Sequence, residues 1–379
     1  MKLRWTFRCY PTKEQEQVLA RTFGCVRFVY NRFLHERTAA FARGERMNYV
    51  QTSAALTQLK SDPEYAWLNE VSSVPLQQSL RHLQTAFRNF FDKRAGYPTF
   101  KKKSGQQSAE YTRSAFRFEI DNQRLLITKL GRLKVKWSRR VYVDPTTVTI
   151  IKNPSGRYFV SLVVDIHPPP LPETSKEVAL DFGLNHLATL SNGEKINNPR
   201  YLQKYLKKLA KAQKLLSRKQ KGSKRYEKAR IRVAKVHEKI SNSREDPQKK
   251  LAWMLVQRFD TIYLEDLNLR GLSKNHALAR SLQDVAIGGY IRMIEAKAAM
   301  HGKRVIKVDR FFPSTRMCCR CGQLHPMPLS KRWMECDCGN GMDRDLNAAI
   351  NLLAAGQAVT ARGDGVRPDL TSVRLGSCL

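Results

Sequence analysis

Five of the chain's eight cysteines, Cys318, Cys319, Cys321, Cys336 and Cys338, crowd into one short segment, and nothing else restricts the fold as much. The opening residues, MKLRWTFRCY, contain no apolar signal core, so export is not expected. Clustered thiols in such a chain point to metal rather than disulfides. The pairs Cys318-Cys319-Arg320-Cys321 and Cys336-Asp337-Cys338, separated by a short loop, suit one tetrahedral Zn²⁺. The expected ligands are Cys318, Cys321, Cys336 and Cys338, with Cys319 able to replace Cys318. A filled Cys₄ shell has no open position, so the ion would be structural. Gly322 and Gly339 suit the tight turns of such knuckles. The Cys-x-Cys spacing is tighter than the usual Cys-x-x-Cys and is expected to strain the second knuckle. Cys9, Cys25 and Cys378 read as buried or terminal residues without a role.

The second constraint is charge. Sixty-eight basic against 33 acidic side chains give +35, far more than solubility needs. An acidic polymer is the default partner, nucleic acid ahead of an anionic membrane surface. No apolar run of about eighteen residues exists, so no membrane span is expected. The expected location is the cytoplasm, associated with the nucleoid. Between Arg200 and Lys239 there are sixteen Lys or Arg and two Glu. A helical face so charged repels itself, and a phosphate backbone would relieve it by counterion release.

Periodicity divides the chain. Leu3, Trp5, Phe7 and Cys9 alternate with basic residues, as in an edge-like strand with one wet face. Thr12 with Gln15 is a capping-box start for helical structure reaching Phe91. There Leu80, Leu83, Phe87, Phe90 and Phe91 form one stripe, expected to be core. From about residue 115 to 166 the period is two, with Leu133, Val135 and Trp137 alternating with Lys134, Lys136 and Ser138. His167-Pro168-Pro169-Pro170 reads as a linker. Beyond it, strands at Val178–Gly183, Leu187–Leu190, Thr261–Glu265 and Arg304–Val308 interleave with helices, which argues α/β. The chain beyond Gly356 is expected to be loose.

Three acids stand in buried contexts. Asp181 follows Val-Ala-Leu, Glu265 follows Ile-Tyr-Leu, and Asp345 precedes an Ala-rich helix whose Ala348 and Ala349 permit close packing on a sheet. A carboxylate closing a buried strand is costly unless neutralised. Three converging would form a pocket for hard divalent ions. Two Mg²⁺ about 4 Å apart could activate water and stabilise the leaving oxygen of a phosphodiester. Singly, each has a plainer reading: Asp345 a helix cap, Glu265 a lysine partner, Asp181 a turn. Asp266 and Asp343 are neighbours that could be mistaken for them, and Asp343 reads as structural.

The order Asp, Glu, cysteine knuckles, Asp resembles the nuclease half of the TnpB family, the OrfB-type proteins of bacterial transposons and relatives of the type V CRISPR effectors. The matching segments are Val178–Ser191, Ile262–Asn268, Phe312-Pro-Ser, the knuckles and Asp343-Arg-Asp-Leu-Asn-Ala-Ala-Ile-Asn351. The first half is similar through Tyr10-Pro-Thr, Gly24-Cys-Val-Arg, Tyr30-Asn31 and Gly96-Tyr-Pro-Thr-Phe100. The resemblance implies an RNA-guided DNA endonuclease that binds a transposon-end noncoding RNA. It would recognise a short motif beside the target in double-stranded DNA and cut at one Mg²⁺-dependent RuvC site. The protein would act as a monomer in its RNA complex. The alternatives are an RNA-guided repressor that does not cut and a guide-independent transposase or nuclease.

The resemblance assigns Asp181, Glu265 and Asp345 as catalytic Mg²⁺ ligands and the four cysteines as the zinc site. It implies α/β plus a β-barrel: a wedge barrel of residues 1–10 and 110–170, a helical recognition domain at 11–109, and an RuvC/RNase H-like nuclease at 171–315 and 343–356. A zinc ribbon at 316–342 and a flexible tail at 357–379 complete the scheme. A protein that leaves sequence reading to base pairing needs a basic, shape-reading channel. Candidates for it are Lys134, Lys136, Lys207, Lys208, Lys211, Lys214, Arg218 and Lys219. Tyr49, Ser53, Gln77 and Gln78 fall in the part resembling the family's recognition region. The chain departs from the family at Arg244–Leu251, where Pro247 is expected to start or delay a helix.

Overall fold

The computed structural model describes residues 1–361 except 273 and 329, and the chain divides after His167 into two compact units. The first begins with β1 (Lys2–Cys9), followed by α1 (Lys13–Ala42), α2 (Tyr49–Ser61), a 3₁₀ segment (Pro63–Asn69) and α3 (Ser73–Phe91). Thr12 caps α1 as its sequence requires: its hydroxyl accepts from the Gln15 N–H, and the Gln15 side chain accepts from the Thr12 N–H. Strands follow: β2 (Gln107–Thr112), β3 (Phe116–Glu119), β4 (Arg124–Ile127), β5 (Gly131–Leu133), β6 (Val135–Lys136), β7 (Thr147–Lys152) and β8 (Tyr158–Asp165).

They form two sheets, one ordered β2-β7-β8-β1-β6 and one ordered β3-β4-β5. β1 pairs with β8 along its whole length and with β6 only at Arg8 and Cys9. The edge-like reading of β1 therefore holds over all but its last two residues. Trp137 joins the sheets, its ring 4.8 Å from Phe7 of β1 and 5.6 Å from Phe118 of β3. The apolar stripe of α3 is core only in part. Leu80, Leu83 and Phe87 are buried, but Phe91, the last residue of the helix, is 66% exposed.

The second unit contains β9 (Glu177–Phe182), β10 (His186–Leu190), β11 (Lys195–Asn197), α4 (Tyr201–Ser217), α5 (Lys224–Arg258), β12 (Thr261–Glu265), α6 (Leu269–Leu272) and α7 (His276–Val285). Then come α8 (Ile287–Met300), β13 (Arg304–Val308), β14 (Trp333–Glu335), β15 (Gly341–Asp343) and α9 (Arg344–Ala361). The sheet order is β11-β10-β9-β12-β13, with β9, β12 and β13 parallel and β10 and β11 antiparallel.

Strand alternation divides the side chains between two helical layers. Val178, Leu180, Ile262 and Leu264 pack against Leu251, Leu255 and Val256 of α5 and Ile291 and Ile294 of α8. Ala179, Tyr263 and Val308 face the other way, against Leu352 of α9. The approach of α9 is close. Ala348 and Ala349 are fully buried, and a Cβ on Gly356 would lie 2.0 Å from the Tyr263 ring.

Two expectations are corrected. Pro247 neither starts nor delays a helix; it lies inside the 35-residue α5. A proline removes one hydrogen bond to the carbonyl four residues back, here that of Ser243. Packing on both sides offsets this: Val236 and Ile240 pack on Leu209 and Ala212 of α4, and Leu251 to Val256 pack in the sheet core. The presumed loose tail is helical as far as Ala361, and residues 362–379, with Cys378, lie outside the described residues. Among the described residues no helix is long and apolar enough to cross a membrane.

Candidate active site

Parallel pairing aligns Leu180 of β9 with Leu264 of β12, so Asp181 and Glu265, one residue on, are neighbours at the carboxyl ends of adjacent strands. Such ends are where open α/β sheets present their sites. Alternation turns both side chains to the face that α9 covers, because each lies two residues after one that packs there, Ala179 and Tyr263. Asp345 is the second residue of α9. All three acids are half-buried.

Of the three, Asp181 feels both of the others. Burial, then repulsion from Asp345 and Glu265, pushes the Asp181 carboxyl up to about 8, with Arg344 opposing. Burial and the neighbouring Asp266 raise Glu265. None of the three side chains has a hydrogen-bond or ion-pair partner among the described residues. The three acids face one region without forming a closed cage: their ligand oxygens do not all lie within 4.8 Å of one another, as the sulfurs of the cysteine set do, so hard cations would have to draw them together.

The adjacent acids are satisfied instead. Asp266 is paired with Arg310. Asp343 caps α9: its Oδ1 accepts from the N–H groups of Asp345 (3.0 Å) and Leu346 (3.2 Å), and its Oδ2 accepts from Lys195 Nζ (2.7 Å). Against the cost of burial, these contacts hold the Asp343 carboxyl below its ordinary value. The capping reading of Asp345 therefore belongs to Asp343, and Asp345 is left free.

The cysteine set is also brought together. The Sγ atoms of Cys318, Cys321, Cys336 and Cys338 all lie within 4.8 Å of one another. Cys318 Sγ is 3.7 Å from Cys338 Sγ, and Cys321 Sγ is 3.4 Å from Cys336 Sγ. A tetrahedron with Zn–S bonds of about 2.3 Å has S···S edges of about 3.8 Å, so the set fits the ion. The Cys-x-Cys pair closes because Gly339 takes φ +82°, just as Gly322 takes +79° behind the first pair. Cys319 is outside the set, its Sγ 3.6 Å from Met342 Sδ, so Cys318 is the ligand candidate. Burial would raise the Cys318 thiol, but the N–H groups of Cys321 and Arg320 and the Asn340 amide pull it down to about 6. Cys336 goes the other way: against one backbone N–H that lowers it, burial and the neighbouring cysteine sulfurs push it up to about 12, and burial raises Cys338, so an ion binding the set must displace protons.

The sequence reading missed the residues joining these two clusters. Asn347 Nδ2 donates to Met317 O (2.7 Å), and its Oδ1 accepts from Cys319 N–H (3.0 Å). One turn later, Asn351 Nδ2 donates to Ser314 O (2.8 Å) and Met317 O (2.6 Å). The buried Arg344 donates to Pro328 O and Lys331 O. The i, i+4 spacing of two Asn within the apolar run from Leu346 to Ala355 was the available signal.

The basic candidates are placed without being gathered. Lys134 and Lys136 are exposed at β6. Lys207, Lys208, Lys211 and Lys214 are exposed on α4, whose Leu209 and Ala212 turn inward, and Arg218 and Lys219 lie in the α4–α5 connection. Tyr49 and Ser53 are half-buried on α2, with Arg81 over the Tyr49 ring. On α3, Gln77 is exposed and Gln78 half-buried.

Comparison with known proteins shows the family and the fold. The "probable transposase" profile of OrfB/IS605 type matches residues 161–276, and a Cas12f1-like TNB domain profile matches 288–352. A protein of Streptomyces pristinaespiralis described as "putative RNA-guided DNA endonuclease" is 48% identical over 99% of this chain and 94% of its own. The chain belongs to the TnpB (OrfB-type) family. A family member of Escherichia coli K12 with the same description, InsQ, is 32% identical over 95% of this chain and 94% of its own. The cryo-EM structure of a Cas12f1–sgRNA–target DNA complex superimposes with TM-score 0.56 at 13% identity, covering 93% of this chain and 98% of that one. This likeness extends to the fold. A helix-turn-helix profile matches residues 1–46, which here form β1 and the single helix α1.

Proposed function

We propose that this family member is an RNA-guided DNA endonuclease whose cutting centre is Asp181, Glu265 and Asp345 in an RuvC/RNase H-like domain. One observation carries the reading: adjacent parallel strands and their covering helix turn three carboxylates without a partner among the described residues toward one region, while the neighbouring Asp266 and Asp343 are each paired. The three would hold two Mg²⁺, which supply an activated water and stabilise the leaving oxygen of a phosphodiester. The chain's own part is to fix the carboxylates on rigid elements, so that little reorganisation remains when charge develops. Asp181, between the other two, must lose its proton before it can serve as a ligand.

The four cysteines would hold one structural Zn²⁺. Residues 1–10 and 110–170 would act as the wedge barrel, 11–109 as the recognition domain, 171–315 and 343–356 as the nuclease, and 316–342 as the zinc ribbon. Lys134, Lys136 and the α4 lysines with Arg218 and Lys219 would contact nucleic-acid backbone. Tyr49, Ser53, Gln77 and Gln78 would take part in reading the target-adjacent motif. Among relatives, RNA guidance and DNA cleavage are in the descriptions of the two aligned along nearly their whole length.

The test is cleavage of a randomised plasmid library in Mg²⁺ by protein co-expressed with its flanking RNA. Guide-dependent cuts beside one short motif, lost on Asp181→Ala and in EDTA, are expected. RNA-dependent binding without cutting in any metal would leave a repressor. Cutting that ignores RNA would leave a guide-independent nuclease.

A further inference from the structure

The end of α3 carries aromatic side chains that the core does not absorb. Phe91 is 66% exposed and Tyr97 46% exposed, with Phe90 half-buried between them. These rings form one cluster on the buried Phe87. Phe90 lies 5.4 Å from Phe91 and 5.2 Å from Tyr97, and Phe87 lies 6.4 Å from Phe91 and 5.7 Å from Tyr97. Beneath, the Arg37 guanidinium stacks on Phe87 at 4.2 Å. A cluster that leaves its outermost phenyl ring mostly in water is not explained by folding, which had the apolar interior of α1 and α3 to use.

The cluster is held firmly and surrounded by positive charge. Tyr97 Oη is 2.7 Å from Thr38 Oγ1, and Asn31 clamps the backbone of Lys101 through both its N–H and its C=O. After the helix the chain turns through Lys93 at φ +54°, a left-handed conformation that favours glycine. The position presents a lysine where a glycine would be easier. Arg88, Lys93, Lys102 and Lys103 are exposed on these segments, and the one acid nearby, Asp92, is taken up by Arg94.

We propose that Phe90, Phe91 and Tyr97 form a stacking platform for unpaired bases of the RNA partner, with Lys93 and its basic neighbours on the phosphates. Exposed rings offer face and edge to any base, and flanking cations track the backbone. RNA is favoured over DNA as occupant because loops and bulges of a folded RNA present splayed bases, whereas duplex DNA keeps its base faces stacked. The inference rests on the RNA partner of the reading above and is independent of its cutting step.

The test measures affinity of the full chain for a fluorescein-labelled, mixed-sequence single-stranded RNA over a range of salt. Phe91→Ala is expected to weaken binding at least about fivefold, the low end of base–aromatic stacking. Phe91→Trp is expected to restore it. The salt slope of Phe91→Ala should equal that of the wild type, whereas Lys93→Gly should flatten it by about 0.7, one phosphate contact on a single strand. Because Phe91 is exposed, its variants should melt with the wild type. Asp181→Ala should bind RNA normally, which keeps failure of the nuclease reading distinguishable from failure of this one. Unchanged RNA affinity in Phe91→Ala would overturn the proposal. So would a loss confined to single-stranded DNA, or equal loss for blunt RNA duplex. Dissociation of a wild-type dimer by Phe91→Ala would also overturn it, assigning the patch to a second copy of the chain.

Discussion

The acid cluster and the cysteine cluster share one helix, α9, but they are built in opposite ways. The acids come from regular elements, two strands and a helix turn, and remain unpartnered, so the fold holds them against their own repulsion. The cysteines come from loops closed by left-handed glycines and would be completed by one ion that they alone ligate. A site built for chemistry leaves charge unsatisfied on strands and a helix, whereas a site built for structure satisfies itself on loops. Substitutions in the first should therefore change activity and spare the fold, and substitutions in the second should do the reverse.

The largest expected effect is on the acids. Glu265→Ala should lower cleavage at least about a thousandfold, since bound metal supplies several kcal/mol of transition-state stabilisation. RNA binding and melting should persist. A folded variant that still cuts would break the comparison.

Next is the cysteine set. Cys336→Ser, or prolonged chelation, should release zinc, measurable by metal analysis, and lower the melting temperature, because metal binding and folding of such knuckles are coupled. Cys319→Ser, outside the set, should retain the metal. Equal zinc loss in both variants would overturn the ligand assignment.

The third effect is mechanical. Gly356→Ala would place a methyl 2.0 Å from the Tyr263 ring and should cost about 1–3 kcal/mol, the usual range for overpacking. Cleavage should fall as well, because α9 carries Asp345. Loss of stability with unchanged cleavage would separate the helix from the site.

The smallest effect concerns pH. The Asp181 carboxyl is raised to about 8 in the folded chain, so without metal the folded state holds a proton that the unfolded state gives up near its ordinary 3.8. Stability from this group is therefore present below about 4 and is lost as pH rises toward 8. Asp181→Asn should flatten that dependence and raise the melting temperature at neutral pH, while abolishing cutting. A metal-free wild type that becomes more stable over this range, relative to Asp181→Asn, would contradict the account.

Much of this was legible in the sequence for reasons that particular residues show. Asp181 and Glu265 were visible because each ends a run of buried strand residues, and a charge there is conspicuous. The knuckles were visible because metal spacing is local. Pro247 misled because local rules cannot show that α5 packs on α4 on one side of it and in the sheet core on the other. Phe91 misled because helical period assigns a face but not the depth of the layer above it. The bonds of Asn347 and Asn351 to the knuckle were hidden because their partners are backbone carbonyls of a distant loop.

The central claim is that Asp345, rather than the neighbouring Asp343, completes the cutting centre. The most direct measurement is the rate of guide-dependent plasmid cleavage in Mg²⁺ by Asp345→Asn and Asp343→Asn side by side. The account predicts that Asp345→Asn is inactive at wild-type stability, whereas Asp343→Asn, which weakens a helix cap and an ion pair, keeps measurable cleavage and melts earlier. Wild-type cutting by Asp345→Asn together with an inactive, fully stable Asp343→Asn would contradict it.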